Sequence, residues 1–118
     1  HWTPTELLAA ALSGCLLHAA LDVARHSKVA LRGWRDQVTL TLDRTEGPAV
    51  QVVAALVEVT VTSTRDTRPE RVERIVHKAH GLCSVARSLA VPVTLRVQVL
   101  SAPDGQPCDL DTGDPKRR

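Results

Sequence analysis

Two cysteines about seventy residues apart, Cys15 and Cys83, each have a histidine at helical spacing. Cys15-Leu16-Leu17-His18 and His80-Gly81-Leu82-Cys83 are mirror-image pairs, and a separation of three residues puts both members of a pair on one face of a helix. Three outcomes follow from these residue types. A thiolate is a nucleophile whose oxidised form a nearby thiol can reduce, so the two cysteines together would make a redox site. Two thiolates and two imidazoles, from Cys15, His18, His80 and Cys83, are the Cys₂His₂ set that zinc prefers. A cysteine on an apolar helix face is also simply a small hydrophobe. All three readings stay open on the residues alone, because a disulfide needs a close approach of Cα atoms that spacing does not fix.

No other chemistry-bearing motif is present. The chain has no glycine-rich phosphate loop, no Gly-x-Ser-x-Gly turn and no convincing carboxylate pair. Arg68, Arg71, Arg74 and Lys78 read as the solvated face of a helix.

The elements that must carry the cysteines are legible in the hydrophobic pattern. Thr3-Pro4-Thr5-Glu6 is a helix start, with Thr3 as cap, Pro4 in the first turn and Glu6 placed to close a capping box. Leu8, Leu12, Cys15, Ala19 and Val23 then form one stripe, which Leu7, Ala11, Leu16 and Ala20 widen. A helix buried around much of its girth, ending near Arg25-His26-Ser27, is expected. From Arg32 the period changes to two: Val38, Leu40 and Leu42 alternate with polar residues, and after a turn at 43–48 so do Val57, Val59 and Val61. This is a hairpin with one covered face.

Thr67-Arg68-Pro69-Glu70 repeats the start chemistry of residues 3–6. The second helix carries Val72, Ile75, Val76, Ala79, Cys83, Ala86 and Leu89 on one stripe, with a bend or restart expected at Gly81. Val93, Leu95, Val97 and Val99 make a last strand.

The order helix, strand, strand, helix, strand gives an α+β fold, two helices packed on an antiparallel sheet. Residues 1–100 form one domain and 101–118, rich in Pro, Gly and Asp, a mobile tail in which Cys108 is a free surface thiol. So apolar a helix needs cover on several sides. Strands preceding it, apparently absent here, or a second subunit are expected to provide it.

Composition narrows the function further. The chain has 118 residues, no Phe, Tyr or Met, and two tryptophans, so Val, Leu and Ala must fill the core. Without aromatic platforms, single-stranded nucleic-acid binding is disfavoured. A formal net charge of +2, with acidic residues interspersed, offers no electrostatic case for nucleic acid or acidic membranes. No export signal and no apolar run long enough to span a bilayer is read, because Ser13, Gly14, His18 and Asp22 interrupt the first helix. Three cysteines without a disulfide-scaffold spacing then point to the cytoplasm.

Two segments bear a joint resemblance. Pro4-Thr5-Glu6-Leu7-Leu8-Ala9-Ala10-Ala11-Leu12-Ser13-Gly14-Cys15 resembles the first signature of the OsmC/Ohr family, and His77-Lys78-Ala79-His80-Gly81-Leu82-Cys83-Ser84-Val85-Ala86 resembles the second. They stand in the family's order with a hairpin between them, and the likeness runs from about Pro4 to Leu100. The Pro-x-Glu-Leu form is similar to an OsmC-like subgroup. The resemblance implies an intertwined homodimer with two central helices. It also implies thiol-dependent reduction of organic hydroperoxides, with Cys15 peroxidatic, Cys83 resolving, a dithiol as reductant and no cofactor. Glu6 is the candidate for the family's catalytic carboxylate, which in the peroxidases follows the proline directly, where this chain has Thr5. The family's arginine beside the thiolate has no matching residue here; Arg87 is the nearest cation by sequence, and His18 a candidate base. The alternative within the family is a fold that has kept its shape but binds a small ligand or a metal through Cys15, His18, His80 and Cys83.

Overall fold

The computed structural model describes residues 3–44 and 47–101. Cys108 and the expected tail, apart from Ser101, lie outside the described residues. The elements are α1 (Pro4–His26), β1 (Leu31–Arg44), β2 (Val50–Ser63), α2 (Pro69–Leu82), α3 (Ser84–Ser88) and β3 (Val93–Ser101). They form the α+β arrangement expected.

α1 begins as its sequence dictates. Thr3 Oγ1 accepts from the Glu6 N–H at 3.2 Å, and Glu6 Oε1 accepts from the Thr3 N–H at 2.9 Å, the reciprocal capping box. α2 departs from the expected echo. Arg68, not a threonine, occupies the cap and makes no side-chain cap bond. The reason is one of register: Thr3 directly precedes its proline, whereas Thr67 stands two residues before Pro69 and pairs with Thr64 Oγ1 at 3.2 Å instead.

β1 and β2 pair antiparallel from Leu31↔Ser63 to Arg44↔Val50, with shifts at Leu31/Gly33 and Thr41/Leu42. Gly47, in the turn, has φ +62°, a conformation that suits glycine. β3 corrects the antiparallel expectation. It joins β2 in parallel, Ala55↔Val93 to Ser63↔Ser101, giving a mixed sheet of order β1-β2-β3. A parallel neighbour needs a crossover, and α2 with α3 supplies it. Residues 50–54 pair with β1 alone, so the far half of the hairpin is two-stranded, with Leu42 and Val50 exposed near its tip.

The core lies between one sheet face and the helices. Val57, Val59 and Val61 from β2 meet Val72, Ile75, Val76 and Ala79 from α2 and Leu12, Leu16, Ala20, Val23 and Ala24 from α1. Each fully buried Leu or Val contributes about 1.5–3 kcal/mol relative to an exposed one. The buried row of α1 is therefore Leu12–Leu16–Ala20–Ala24, turned slightly from the expected stripe, and Cys15 lies on its flank. Nor is α1 buried around its girth: Leu7 and Leu21 are exposed, since one sheet face and one neighbouring helix pair cover a single side. The membrane expectation also needs correcting. By length and composition α1, with a mean hydropathy of 1.8, is apolar enough to cross a membrane, the four interrupting residues notwithstanding. In this fold it packs against β1, α2 and α3.

Candidate active site

The second helical stretch breaks at Cys83, two residues beyond Gly81. Cys83 has extended backbone (φ −68°, ψ 113°), so it is not a helical cysteine as expected but the joint between two helices. Its N–H donates to the His80 carbonyl at 3.3 Å and closes α2; its carbonyl accepts from the Arg87 N–H at 3.0 Å and opens α3. The joint turns Ser84 and Val85 towards the flank of α1 where Cys15 lies. Cys15 Sγ and Ser84 Oγ are 3.6 Å apart. Cys15 and Cys83 are both free thiols, near enough that each acts on the other's ionisation.

Their protonation differs in direction. The Cys15 thiol is held down to about 7, chiefly by a hydrogen bond from the Val85 backbone N–H. Partial burial opposes this, while the Ser84 hydroxyl, the Cys83 thiol and the Ser84 N–H reinforce it. The shift favours the Cys15 thiolate near neutral pH. Burial pushes the Cys83 thiol up; the Ala86 and Val85 N–H groups act against burial, and the hydrogen bond and charge of Cys15 act with it. The arrangement is a thiol whose ionisation is favoured on the accessible side and a thiol, 0 % exposed, whose ionisation burial disfavours.

The other candidates fall elsewhere. His18 is 82 % exposed and lies 3.6 Å from Asp22, one turn along α1. No histidine is among the groups acting on either cysteine. Among the described residues no cluster of three or more His, Cys, Asp or Glu is placed to hold a metal, which overturns the reading of Cys15, His18, His80 and Cys83 as ligands. The physical reason is the break at Cys83, which removes the helical spacing on which that set depended. The Arg87 guanidinium reaches the Gly81 carbonyl at 3.3 Å and does not act on Cys15. Glu6 is engaged in the cap, its carboxyl held low by the Thr3 N–H. Nine residues of helix separate it from Cys15, about 13 Å of rise, so within one chain the two do not meet.

One polar group near the site is not apparent in the sequence. Asp36, half-buried on β1, accepts from Ser13 Oγ at 2.7 and 2.8 Å and from Trp34 Nε1 at 2.8 Å. It fastens α1 to the sheet two residues before Cys15. Ser84 and Val85 also escape notice in sequence, for a run of helical spacing gives no sign that the backbone opens between them and α2.

Against known proteins, the family model described as OsmC-like protein matches residues 1–98. Among curated proteins no match to the chain is found. Solved structures share the fold. An OsmC-like protein of unknown function from Vibrio cholerae superimposes with a TM-score of 0.72 at 23% identity, over 80% of this chain and 63% of that one. The chain thus spans less than two thirds of that protein's length. An organic hydroperoxide resistance protein OsmC from Legionella pneumophila gives 0.66 at 20% identity, over 83% and 69%. The organic hydroperoxide resistance protein OhrB of Bacillus subtilis gives 0.66 at 20% identity, over 81% and 70%.

Proposed function

The chain belongs to the OsmC-like family, and from that premise we propose that it is a cysteine-based peroxidase reducing organic hydroperoxides, with Cys15 as the attacking thiolate and Cys83 as the resolving thiol. What supports this reading is a part-exposed thiol held down to about 7 and a buried thiol pushed up, each acting on the other's ionisation. Fold neighbours that bear the name organic hydroperoxide resistance protein point to the substrate class.

The chemistry balances with these two sulfurs and an external dithiol. The Cys15 thiolate attacks the terminal peroxide oxygen, and the O–O bond breaks. The alkoxide leaves with the bonding electrons, takes a proton from solvent and departs as alcohol, while Cys15 becomes a sulfenic acid. The Cys83 sulfur then displaces the sulfenic hydroxyl, which departs as water with the Cys83 proton, and a Cys15–Cys83 disulfide forms. A dithiol restores both thiols by exchange and is itself oxidised. Such a cycle suits a compartment kept reducing, such as the cytosol.

A homodimer is part of the same proposal. Leu7 and Leu21 on α1, and Leu42 and Val50 on the two-stranded half of the hairpin, are apolar and uncovered in one chain. A hairpin alone is marginal in water, and a second copy would cover it.

The test is steady-state consumption of cumene hydroperoxide by micromolar protein with excess dithiothreitol. Many turnovers per chain are expected, with none above background when a monothiol replaces the dithiol at equal reducing strength and low concentration. No turnover above background with the dithiol would overturn the proposal.

A further inference from the structure

Ser84 is the first residue after the joint, and its Oγ lies 3.6 Å from Cys15 Sγ. A thiolate only accepts hydrogen bonds, so when Cys15 is ionised the serine hydroxyl is the donor. The backbone that presents it is fixed on both sides. Ser88 Oγ donates to the Ser84 carbonyl at 2.7 Å, and the Arg87 N–H closes on Cys83 at 3.0 Å. With the main chain held, one side-chain torsion decides where the hydroxyl points, and the observed position faces the sulfur.

The surrounding charges do not take this place. The neighbouring elements carry His18 and Asp22 on α1, Asp36 on β1, His80 on α2 and Arg87 on α3, and Asp36 is engaged by Ser13 and Trp34. His18 pairs with Asp22, Arg87 is turned to the Gly81 carbonyl, and of the titratable groups only Cys83 acts on Cys15. No lysine or arginine among the described residues contributes. Among the described residues of one chain, the groups that favour the negative sulfur are hydrogen-bond donors.

We propose that Ser84 is a catalytic residue of the Cys15 centre, its hydroxyl donating a hydrogen bond that holds the attacking sulfur as thiolate. This rests on the reading of Cys15 as the nucleophile, but its test does not need peroxide. The Val85 N–H remains when Ser84 is changed, so the effect is partial.

The test is the pH dependence of Cys15 alkylation by iodoacetamide in the full chain, followed by peptide mapping. In Ser84→Ala the midpoint should rise by roughly half a unit to one unit, a threefold to tenfold slower reaction at pH 6. Ser84→Thr, which keeps the hydroxyl, should return the rate to within about twofold of the parent. Alanine is a strong helix former at this exposed position, and an unchanged urea midpoint checks that the variant is folded. A midpoint in Ser84→Ala equal to the parent's, or one in Ser84→Thr displaced as far as in Ser84→Ala, would overturn the proposal. The expected shift in a protein that consumes no peroxide would support Ser84 and count against the peroxidase reading instead.

Discussion

Cys15 and Cys83 draw on the same turn of backbone and reach opposite protonation states. The Val85 N–H acts on both sulfurs, and each sulfur acts on the ionisation of the other. What separates them is solvent. Cys15 stands on the flank of α1, where hydrogen-bond donors outweigh a modest desolvation; Cys83 sits at the helix joint among core residues, where desolvation wins and a negative neighbour adds to it. Identical side chains are thus made unequal in protonation, which is what the proposed division into attacking and resolving thiol requires. In the proposed cycle, a resolving thiol that ionised first would compete for peroxide or repel the nucleophile.

The inequality is breakable, and the largest effect is expected from the sulfurs themselves. Cys15→Ser should abolish peroxide consumption. Cys83→Ser should allow one burst per chain and leave a sulfenic acid that dimedone labels at Cys15. Equal residual turnover in the two variants would remove the distinction between them.

Next in size is selective labelling. At pH 7 iodoacetamide should modify Cys15 at least about tenfold faster than Cys83, because thiolate fraction and access both favour it. Because its pKa is lowered, Cys15 keeps its reactivity at neutral pH and loses it as pH falls through about 7, approaching a tenfold drop per unit well below that. Cys83 should stay protected until urea unfolds the chain. Comparable rates at pH 7 would show that the two environments are alike.

Asp36→Ala probes whether the seat of α1 matters. Ser13 and Trp34 lose their shared acceptor, a cost of about 1–3 kcal/mol in urea unfolding. The Cys15 alkylation midpoint should hold, since the groups that set it belong to α3 and the joint; a rise would add the β1 anchor to its causes. The smallest effect is expected at the cap. Thr3→Ala should cost about 1 kcal/mol, and Glu6→Gln should change turnover by less than about twofold. A hundredfold loss in Glu6→Gln would instead mark its carboxylate as part of the chemistry.

Sequence reading reached the local features and stopped where the chain meets itself. Thr3-Pro4-Thr5-Glu6 encodes hydrogen bonds spanning three residues, and those bonds form as expected. The alternation at 57–61 encodes a covered face, and that face is buried. Parallel pairing of β3 was not legible, because a strand has the same period whichever way its neighbour runs. The joint at Cys83 is hidden too: Ala79, Cys83 and Ala86 keep a helical spacing across it, and the helix-weakening Gly81 lies two residues before the break. With the joint unseen, the mirror-image Cys and His pairs looked like a four-ligand set. The same blind spot concealed Ser84 and Val85, whose value lies in what the turned backbone offers Cys15.

The pairing of the two sulfurs is tested most directly by treating the reduced protein with one equivalent of cumene hydroperoxide, then measuring intact mass and mapping peptides. A loss of two hydrogens, assigned to a peptide pair joined through Cys15 and Cys83, is the expected result. A chain whose Cys15 remains a free thiol after the peroxide is added would contradict the assignment.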